Sequence, residues 1–451
     1  MAGALLTDLY ELNMAASYLK RGMDAPATFS LFVRNLPPSR GFLVAAGLGP
    51  CLSFLESFSF EEEDLRFLGE TLGFDAEALD RFRTVRFDGE VWAVPEGRVV
   101  FANEPILEVT APIAVAQLVE TYLLNQITLH TTMTTKAARY RIAAGDRDLV
   151  DFAFRRTHGA EAAMAVARSS ALAGFVATSN VEAARRLGLR AAGTMAHSYI
   201  ESFPSEADAF RAFARDFPGR TTFPVDTYDS ENGVRTAIEV IRELGLTEGL
   251  GVRLDSGDLD ALSRRARRIL DEAGLHRVRI FASGGLDETT VQRLVEGGAP
   301  IDAFGVGEQL GVSIDAPGLE SAYKLVVYAG RPVMKLSPGK VSAPGAKQVF
   351  RGREGDVIGL RDEAPPAGTK PLLEPVMRDG KRLAPAASIQ EARARLEGEL
   401  RGLPGSAKDL SRPQAPAARF SDRLEQLIAE VRGGLEGAAG SPSSGVQAGS
   451  P

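Results

Sequence analysis

The feature that most constrains this chain is an alternation of two periods between Leu149 and Val306. Seven apolar runs recur there: Leu149–Phe154, Gly174–Thr178, Ala191–Ala196, Thr221–Asp226, Gly251–Leu254, Val278–Ala282 and Ile301–Val306. Each is four to six residues long, which suits a strand buried on both faces. Between them, apolar residues fall at helical spacing. Asp258–Gly274 puts Leu259, Leu262, Ala266, Ile269, Leu270 and Ala273 on one stripe, with Arg264, Arg265 and Arg268 off it. Glu231–Gly245 does the same with Val234, Ala237, Ile238, Ile241 and Leu244; Ser230 reads as its N-cap and Gly245 as its stop. Glu206–Phe217, Asn180–Gly188 and Asp287–Gly297 follow suit. Such a repeat predicts a parallel sheet with helices packed outside it. Seven or eight units favour an irregular, TIM-like parallel α/β barrel over an open doubly wound sheet. The first strand is not followed by G-x-G-x-x-G, which counts against a dinucleotide-binding fold.

The flanks read differently, and 451 residues predict two or three domains. Leu5–Arg21 is expected to be a helix, and Thr28–Val33 and Phe42–Ala46 strands. Glu61–Phe82 reads as helices, and Glu90–Val94, Val99–Ala102 and Ile106–Val109 as short strands. A long helix is expected from Val115 to Ala144. Residues 326–400 return to short strands such as Val333–Leu336 and Lys347–Phe350. The expected organisation is a discontinuous α/β domain (1–140 with 326–400) beside a barrel (141–325). Residues 401–451 form a C-terminal extension, with a helix at Phe420–Val431 and disorder after about 434.

Bulk chemistry narrows the function. Hydrophobic residues make up 44% and charged residues 25%, enough for a buried core. A net charge of −7 argues against nucleic acid as the partner. It leaves room for a small anionic substrate in a locally positive pocket. Cys51 is the only cysteine, so no intrachain disulfide forms. Asp8 and Glu11 interrupt any signal-peptide pattern. The longest nearly uncharged run, Ala162–Val181, contains Arg168 and reads as helix plus strand, not as a membrane span. The expected location is the cytoplasm.

In a parallel barrel the reactive groups sit at the carboxyl ends of the strands. Those ends carry Arg155-Arg156-Thr157-His158, Thr178-Ser179-Asn180, His197-Ser198, Asp226-Thr227-Tyr228-Asp229, Arg253-Leu254-Asp255-Ser256-Gly257-Asp258, Ser283-Gly284-Gly285 and Gly305-Val306-Gly307. Taken singly, most have structural readings. Asp258, Ser230 and Asn180 are N-cap residues, the glycines make tight turns, and His197 is as readily structural as catalytic. Their convergence on one rim is what points to function. Glycine turns offer backbone N–H groups to phosphate, arginines fork onto carboxylates and phosphates, and aspartates accept from ribose hydroxyls. The rim suits a phosphorylated sugar with an anionic partner, and no Cys/His spacing points to zinc.

These residues carry a family resemblance. Thr7-Asp8-Leu9-Tyr10-Glu11-Leu12-Asn13-Met14, Gly193-Thr194-Met195-Ala196-His197-Ser198, Val225-Asp226-Thr227-Tyr228-Asp229 and Arg253-Leu254-Asp255-Ser256-Gly257-Asp258 resemble blocks of the nicotinate phosphoribosyltransferases. So do Ala282-Ser283-Gly284-Gly285-Leu286-Asp287, Phe304-Gly305-Val306-Gly307 and Tyr323-Lys324-Leu325-Val326. The blocks run in order from about residue 5 to about 340. The resemblance implies a type II phosphoribosyltransferase fold and a head-to-tail homodimer with shared active sites. It implies a reaction of nicotinate with phosphoribosyl pyrophosphate, with Mg²⁺ and stimulation by ATP. It implies that His197 is the phosphorylated histidine, that Asp226 pairs with it, and that Phe152 and the partner subunit's Tyr10 sandwich the pyridine. Arg155 and Arg253 are implied around base and phosphates, and Asp255 beside the ribose. Ser283, Gly284, Gly285, Gly305 and Gly307 are implied in the phosphate-cradling turns. The Mg²⁺ ligands stay unassigned.

The choice of base falls on Ser179, where related nicotinamide enzymes carry an aspartate. A neutral residue there, near Arg155 and Arg253, favours the nicotinate anion. Two departures stand out: Glu308 follows Gly307 where a small hydroxyl residue is expected, and Gly284 stands where related enzymes can carry an acid facing the ribose. The rival readings are a nicotinamide or quinolinate enzyme on the same fold, a catalytically silent sensor of NAD precursors, and an unrelated barrel that binds a phosphorylated sugar.

Overall fold

A computed structural model describes residues 3–337, 342–353 and 355–440. Helix α1 (Leu9–Lys20) leads into strands β1 (Pro26–Val33), β2 (Glu90–Ala93) and β3 (Pro105–Pro112). The long helix α2 (Glu120–Ala144) then crosses to six strands: β4 (Asp148–Asp151), β5 (Ala177–Thr178), β6 (Thr222–Pro224), β7 (Gly251–Leu254), β8 (Arg279–Ala282) and β9 (Ala303–Val306). Helix α3 (Glu288–Glu296) joins the last two of these. The chain returns through β10 (Ser321–Tyr328) and β11 (Glu374–Arg378).

The six central strands form one parallel sheet in the order β5-β4-β9-β8-β7-β6. Its register pairs Asp151 with Thr178 and Val306, Ala282 with Phe304 and Leu254, and Arg253 with Pro224. The carboxyl ends are therefore level, and the residues after them share one edge. The sheet is not closed among the described residues: β5 and β6 are its two edges. The expected strand Ala191–Ala196 shrinks to a single bridge between Ala191 and Thr178. Its polar groups are diverted: Thr194 Oγ1 and the Met195 carbonyl both accept from Arg253 (2.6 and 3.5 Å).

The helices between the strands bury the stripes read from the sequence. Val234, Ala237, Ile238 and Ile241 are buried on Ser230–Glu243, and Leu259, Ala266, Ile269 and Leu270 on Leu259–Glu272. Each large side chain so buried contributes about 1.5–3 kcal/mol. Asp258, Asp287 and Asn180 cap their helices through Ala261, Thr290 and Ala183. Ser230 is not a cap; Asp229 accepts from the Asn232 N–H instead, one residue earlier than expected.

A second, antiparallel sheet runs β10-β1-β3-β2-β11, edged by Arg331–Pro332 and Lys381–Arg382. It joins residues from both sides of the parallel sheet. β1 is central and buried along nearly its whole length, with Phe29 stacked on Tyr323 at 4.7 Å. The helix expected over Val115–Ala144 breaks at Val119 into Ile113–Leu118 and α2. Residues after 400 are not an appended extension: Leu403, Ala407 and Leu410 are buried in the core of the parallel sheet, and Leu424 in the other core. The last helix, Asp422–Gly440, continues past residue 434; the remainder of the expected disordered tail lies outside the described residues. No helix of the described residues is long and apolar enough to cross a membrane.

Candidate active site

The level strand ends place Phe152, Ser179, Asp226, Asp255, Ser283 and Gly307 within two residues of β4, β5, β6, β7, β8 and β9 respectively. Into this rim the open edge of the sheet brings His197, the first residue of the short helix His197–Glu201. Its Nδ1 lies 3.1 Å from Thr227 Oγ1. Its Nε2 faces Arg253 Nη2 at 3.4 Å, Asp255 Oδ2 at 3.8 Å and Asp226 Oδ1 at 3.9 Å. The imidazole is thus ringed by one cation and two carboxylates, and a side-chain hydroxyl holds its other nitrogen.

Asp226 stands beside His197 at ion-pair distance and not as a hydrogen-bond partner: Oδ1 is the oxygen that faces Nε2, while Oδ2 accepts from the Asp255 N–H (2.8 Å) and Ser256 Oγ (3.0 Å). Its Oδ1 is buried with no hydrogen-bond partner. Thr227, not singled out from the sequence, sits next to Asp226 and makes the ring contact.

Arg253 reaches across the rim. Nη1 donates to Thr194 and Nη2 to Asp255 Oδ2 at 3.1 Å. Ser283 Oγ donates to the other oxygen of Asp255. Burial raises the affinity of the Asp255 carboxyl for its proton, but Ser283, Arg253 and His197 together outweigh it and hold the group below its ordinary range. Asp255 is therefore an anion at neutral pH, tied to the turn after β8.

That turn needs its glycines. Gly284 has φ +92°, and a Cβ there would lie 1.8 Å from the Asp255 carbonyl oxygen. No side chain fits unless the turn moves, so the absence of an acid at Gly284 follows from how closely the turn rides on β7. Gly285 also has positive φ, with nothing within 4 Å of its Cβ position. On the facing strand, a Cβ at Gly305 would strike the rings of Phe152 and Phe281 at 2.8 Å. The missing side chain lets the Phe152 ring pack directly against β9. Gly307 lies with its Cβ position 3.3 Å from the Phe152 carbonyl.

Beside Phe152, the Ser179 N–H donates to the Asp151 carbonyl at 2.8 Å, leaving its hydroxyl half-buried beside the rim. Asp151 is fully buried beneath both, accepting from Thr178 Oγ1 (2.7 Å) and the Ala153 N–H (2.8 Å). Glu308 does not face the phosphate turn as an unpaired acid; Arg156 Nη1 holds it at 2.5 Å. Arg155 is exposed on the turn Phe154–Arg156 and makes no ion pair among the described residues. Tyr10 is not brought to the rim of its own chain. It is half-exposed on α1 beside Glu11 and Glu120, where burial first, and then those carboxylates, push its hydroxyl pKa upward.

Known proteins match this geometry along its length. Models of the nicotinate phosphoribosyltransferase (NAPRTase) N-terminal domain, the NAPRTase family and the C-terminal domain match residues 5–128, 148–343 and 353–428. The nicotinate phosphoribosyltransferase pncB2 of Mycobacterium tuberculosis is 48% identical over 439 residues, covering 95% of this chain and 94% of that protein. The chain belongs to the nicotinate phosphoribosyltransferase family. The Bacillus subtilis nicotinate phosphoribosyltransferase is 42% identical over 376 residues, 80% of this chain and 76% of its own. The crystal structure of human nicotinic acid phosphoribosyltransferase superimposes with a TM-score of 0.84 at 28% identity, covering 94% of this chain and 99% of that one. Membership of the nicotinate phosphoribosyltransferase family spans both sheets and the segment after residue 353, the part that reads least clearly in the sequence.

Proposed function

We propose that the chain transfers the phosphoribosyl group of phosphoribosyl pyrophosphate to nicotinate, giving nicotinate mononucleotide and pyrophosphate in NAD salvage. The observation that carries this reading is the rim itself: His197, Arg253, Asp226, Asp255 and the Ser283-Gly284-Gly285 turn converge within hydrogen-bond or ion-pair reach. The nicotinate nitrogen attacks ribose C1 as the C1–O bond to pyrophosphate breaks, and the bonding pair leaves with pyrophosphate. Phe152 supplies one face for the pyridine, and Tyr10 of the partner subunit supplies the other in a homodimer. Arg155 and Arg253 attract the anionic ring substituent, and neutral Ser179 does not repel it. Asp255 accepts from the ribose, and the glycine turns present N–H groups to phosphate. Positioning and charge stabilisation account for most of the acceleration.

Mg²⁺ fits the site as an ion that arrives with phosphate oxygens. Among the described residues no group of three His, Cys, Asp or Glu side chains could cage a metal, whereas Asp255 offers a half-exposed anionic oxygen at the rim. When bound, Mg²⁺ neutralises charge on the leaving pyrophosphate. ATP couples to the reaction through His197, whose Nε2 faces the open rim between Arg253 and Asp255. Phosphorylation there adds negative charge beside Arg253 and orders the surrounding loops. Glu308 is paired with Arg156, which supports a phosphate turn free of an unpaired acid.

The test is product formation from phosphoribosyl pyrophosphate with nicotinate or with nicotinamide. Nicotinate mononucleotide as the main product supports the reading. A folded protein that turns over neither base favours the sensor, and preference for nicotinamide removes Ser179 as the selector.

A further inference from the structure

Three side chains of α2 reach the far side of the turn between β8 and α3. Tyr140 Oη donates to the Leu286 carbonyl at 2.8 Å. Lys136 Nζ lies 2.5 Å from Glu288 Oε2 and 2.7 Å from Asp315 Oδ1, and Arg139 Nε lies 2.8 Å from Glu288 Oε1. Lys136, Arg139, Tyr140 and Glu288 are all buried, and Lys136 sits 5.4 Å from the centroid of the Tyr140 ring. Arg40, from the loop after β1, closes the group onto Asp315.

Burying three cations against two carboxylates is a poor source of stability, because desolvation offsets most of the attraction. What such a group does well is fix direction. The turn it fixes needs fixing: two successive residues, Gly284 and Gly285, sit at φ +92° and +61°. A backbone with that freedom adopts many shapes unless held from outside. On one side Ser283 is tied to Asp255. On the other, Tyr140 holds Leu286 and Lys136 with Arg139 holds Glu288 from outside, beside the local cap of Asp287 on Thr290.

We propose that Tyr140 and Lys136 are positioning residues. They hold the Ser283-Gly284-Gly285 turn in the shape that receives the phosphate end of the sugar substrate. This rests on the function proposed above. It predicts an effect mainly on one substrate, since among the described residues the α2 side chains hydrogen-bond the far end of this turn and none hydrogen-bonds Phe152, Ser179 or Asp151.

The experiment is steady-state kinetics of Tyr140→Phe, which removes one hydroxyl and keeps the ring. Tyr323→Phe is the control: it loses an equivalent buried bond, Tyr323 Oη to the Ala116 carbonyl at 2.8 Å, in the other core. Tyr140→Phe is expected to raise the KM for phosphoribosyl pyrophosphate about five-fold or more, the worth of one buried hydrogen bond. The KM for nicotinate should stay within about two-fold, and Tyr323→Phe should leave both constants unchanged. Lys136→Met, tested alongside, should show the same split. Wild-type turnover with an unchanged phosphoribosyl pyrophosphate KM in Tyr140→Phe overturns the proposal and leaves the function standing. Equal rises in both KM values, or the same rise in Tyr323→Phe, make the role merely structural and also overturn it. A wild type that forms no nucleotide overturns the function and this proposal together.

Discussion

Asp226 Oδ1 lies 3.9 Å from His197 Nε2, buried, with no hydrogen-bond partner of its own among the described residues. An unpaired buried carboxylate oxygen costs free energy, and here its one ionic neighbour within reach among the described residues is an imidazole that gains positive character when protonated. The relationship is that of a counter-charge waiting for a change at the ring. Asp226→Asn keeps the bond to the Asp255 N–H or Ser256 but removes that charge. It should reduce ATP stimulation about 10- to 100-fold while ATP-independent transfer falls much less. Coupling ratios of ATP hydrolysed per nucleotide formed give the measurement, and an unchanged ratio speaks against a role for Asp226.

Gly284 offers a backbone test. With φ +92° and the Asp255 carbonyl oxygen 1.8 Å from its Cβ position, Gly284→Ala must displace the turn. A cost of about 1–3 kcal/mol in stability is expected, with kcat/KM falling by more than ~10-fold. Gly285→Ala, at a position with open space, should be the milder of the two. Equal effects would show that steric contact with β7 does not set the turn.

Ser179→Asp places a carboxylate where the nicotinate carboxylate is expected. The nicotinate KM should rise roughly 10- to 100-fold, and nicotinamide turnover should improve relative to nicotinate. Unchanged discrimination between the two bases would move the selector elsewhere, with Arg155 the next candidate.

His130 governs part of the acid limb of stability. Burial first, and then Arg168, push its pKa down to about 4 against the pull of Glu96. The folded state therefore binds fewer protons than the unfolded state between about pH 4 and 6.5, so stability is full above that window and falls as pH drops through it. At pH 5 the loss from this group is about 2 kcal/mol. His130→Leu should flatten the difference in unfolding free energy between pH 7.5 and pH 5 by that amount. Parallel denaturation curves for wild type and variant at the two pH values decide it.

What was legible in the sequence is what period and spacing control. The parallel strands, their helices and the residues at their carboxyl ends follow from alternation of buried runs, because register then brings Phe152, Ser179, Asp255 and Ser283 to one edge. What was not legible depends on contacts between distant segments. Ala191–Ala196 has the composition of a strand, yet it pairs only through the Ala191–Thr178 bridge and then turns to meet Arg253 with Thr194 and Met195. Glu308 reads as an intruder until Arg156 is found beside it. Thr227 was inside a quoted block but carries no mark that distinguishes a ring partner from an ordinary hydroxyl. Lys136 and Tyr140 are invisible in a long helix whose polar residues are buried by a partner 150 positions away along the chain.

The measurement that bears most directly on the account is nucleotide formation from nicotinate and phosphoribosyl pyrophosphate by wild type and His197→Ala, each with and without ATP. The account predicts nicotinate mononucleotide from wild type, formed faster with ATP, and slower transfer from His197→Ala that ATP no longer stimulates. ATP stimulation that survives intact in His197→Ala would contradict it.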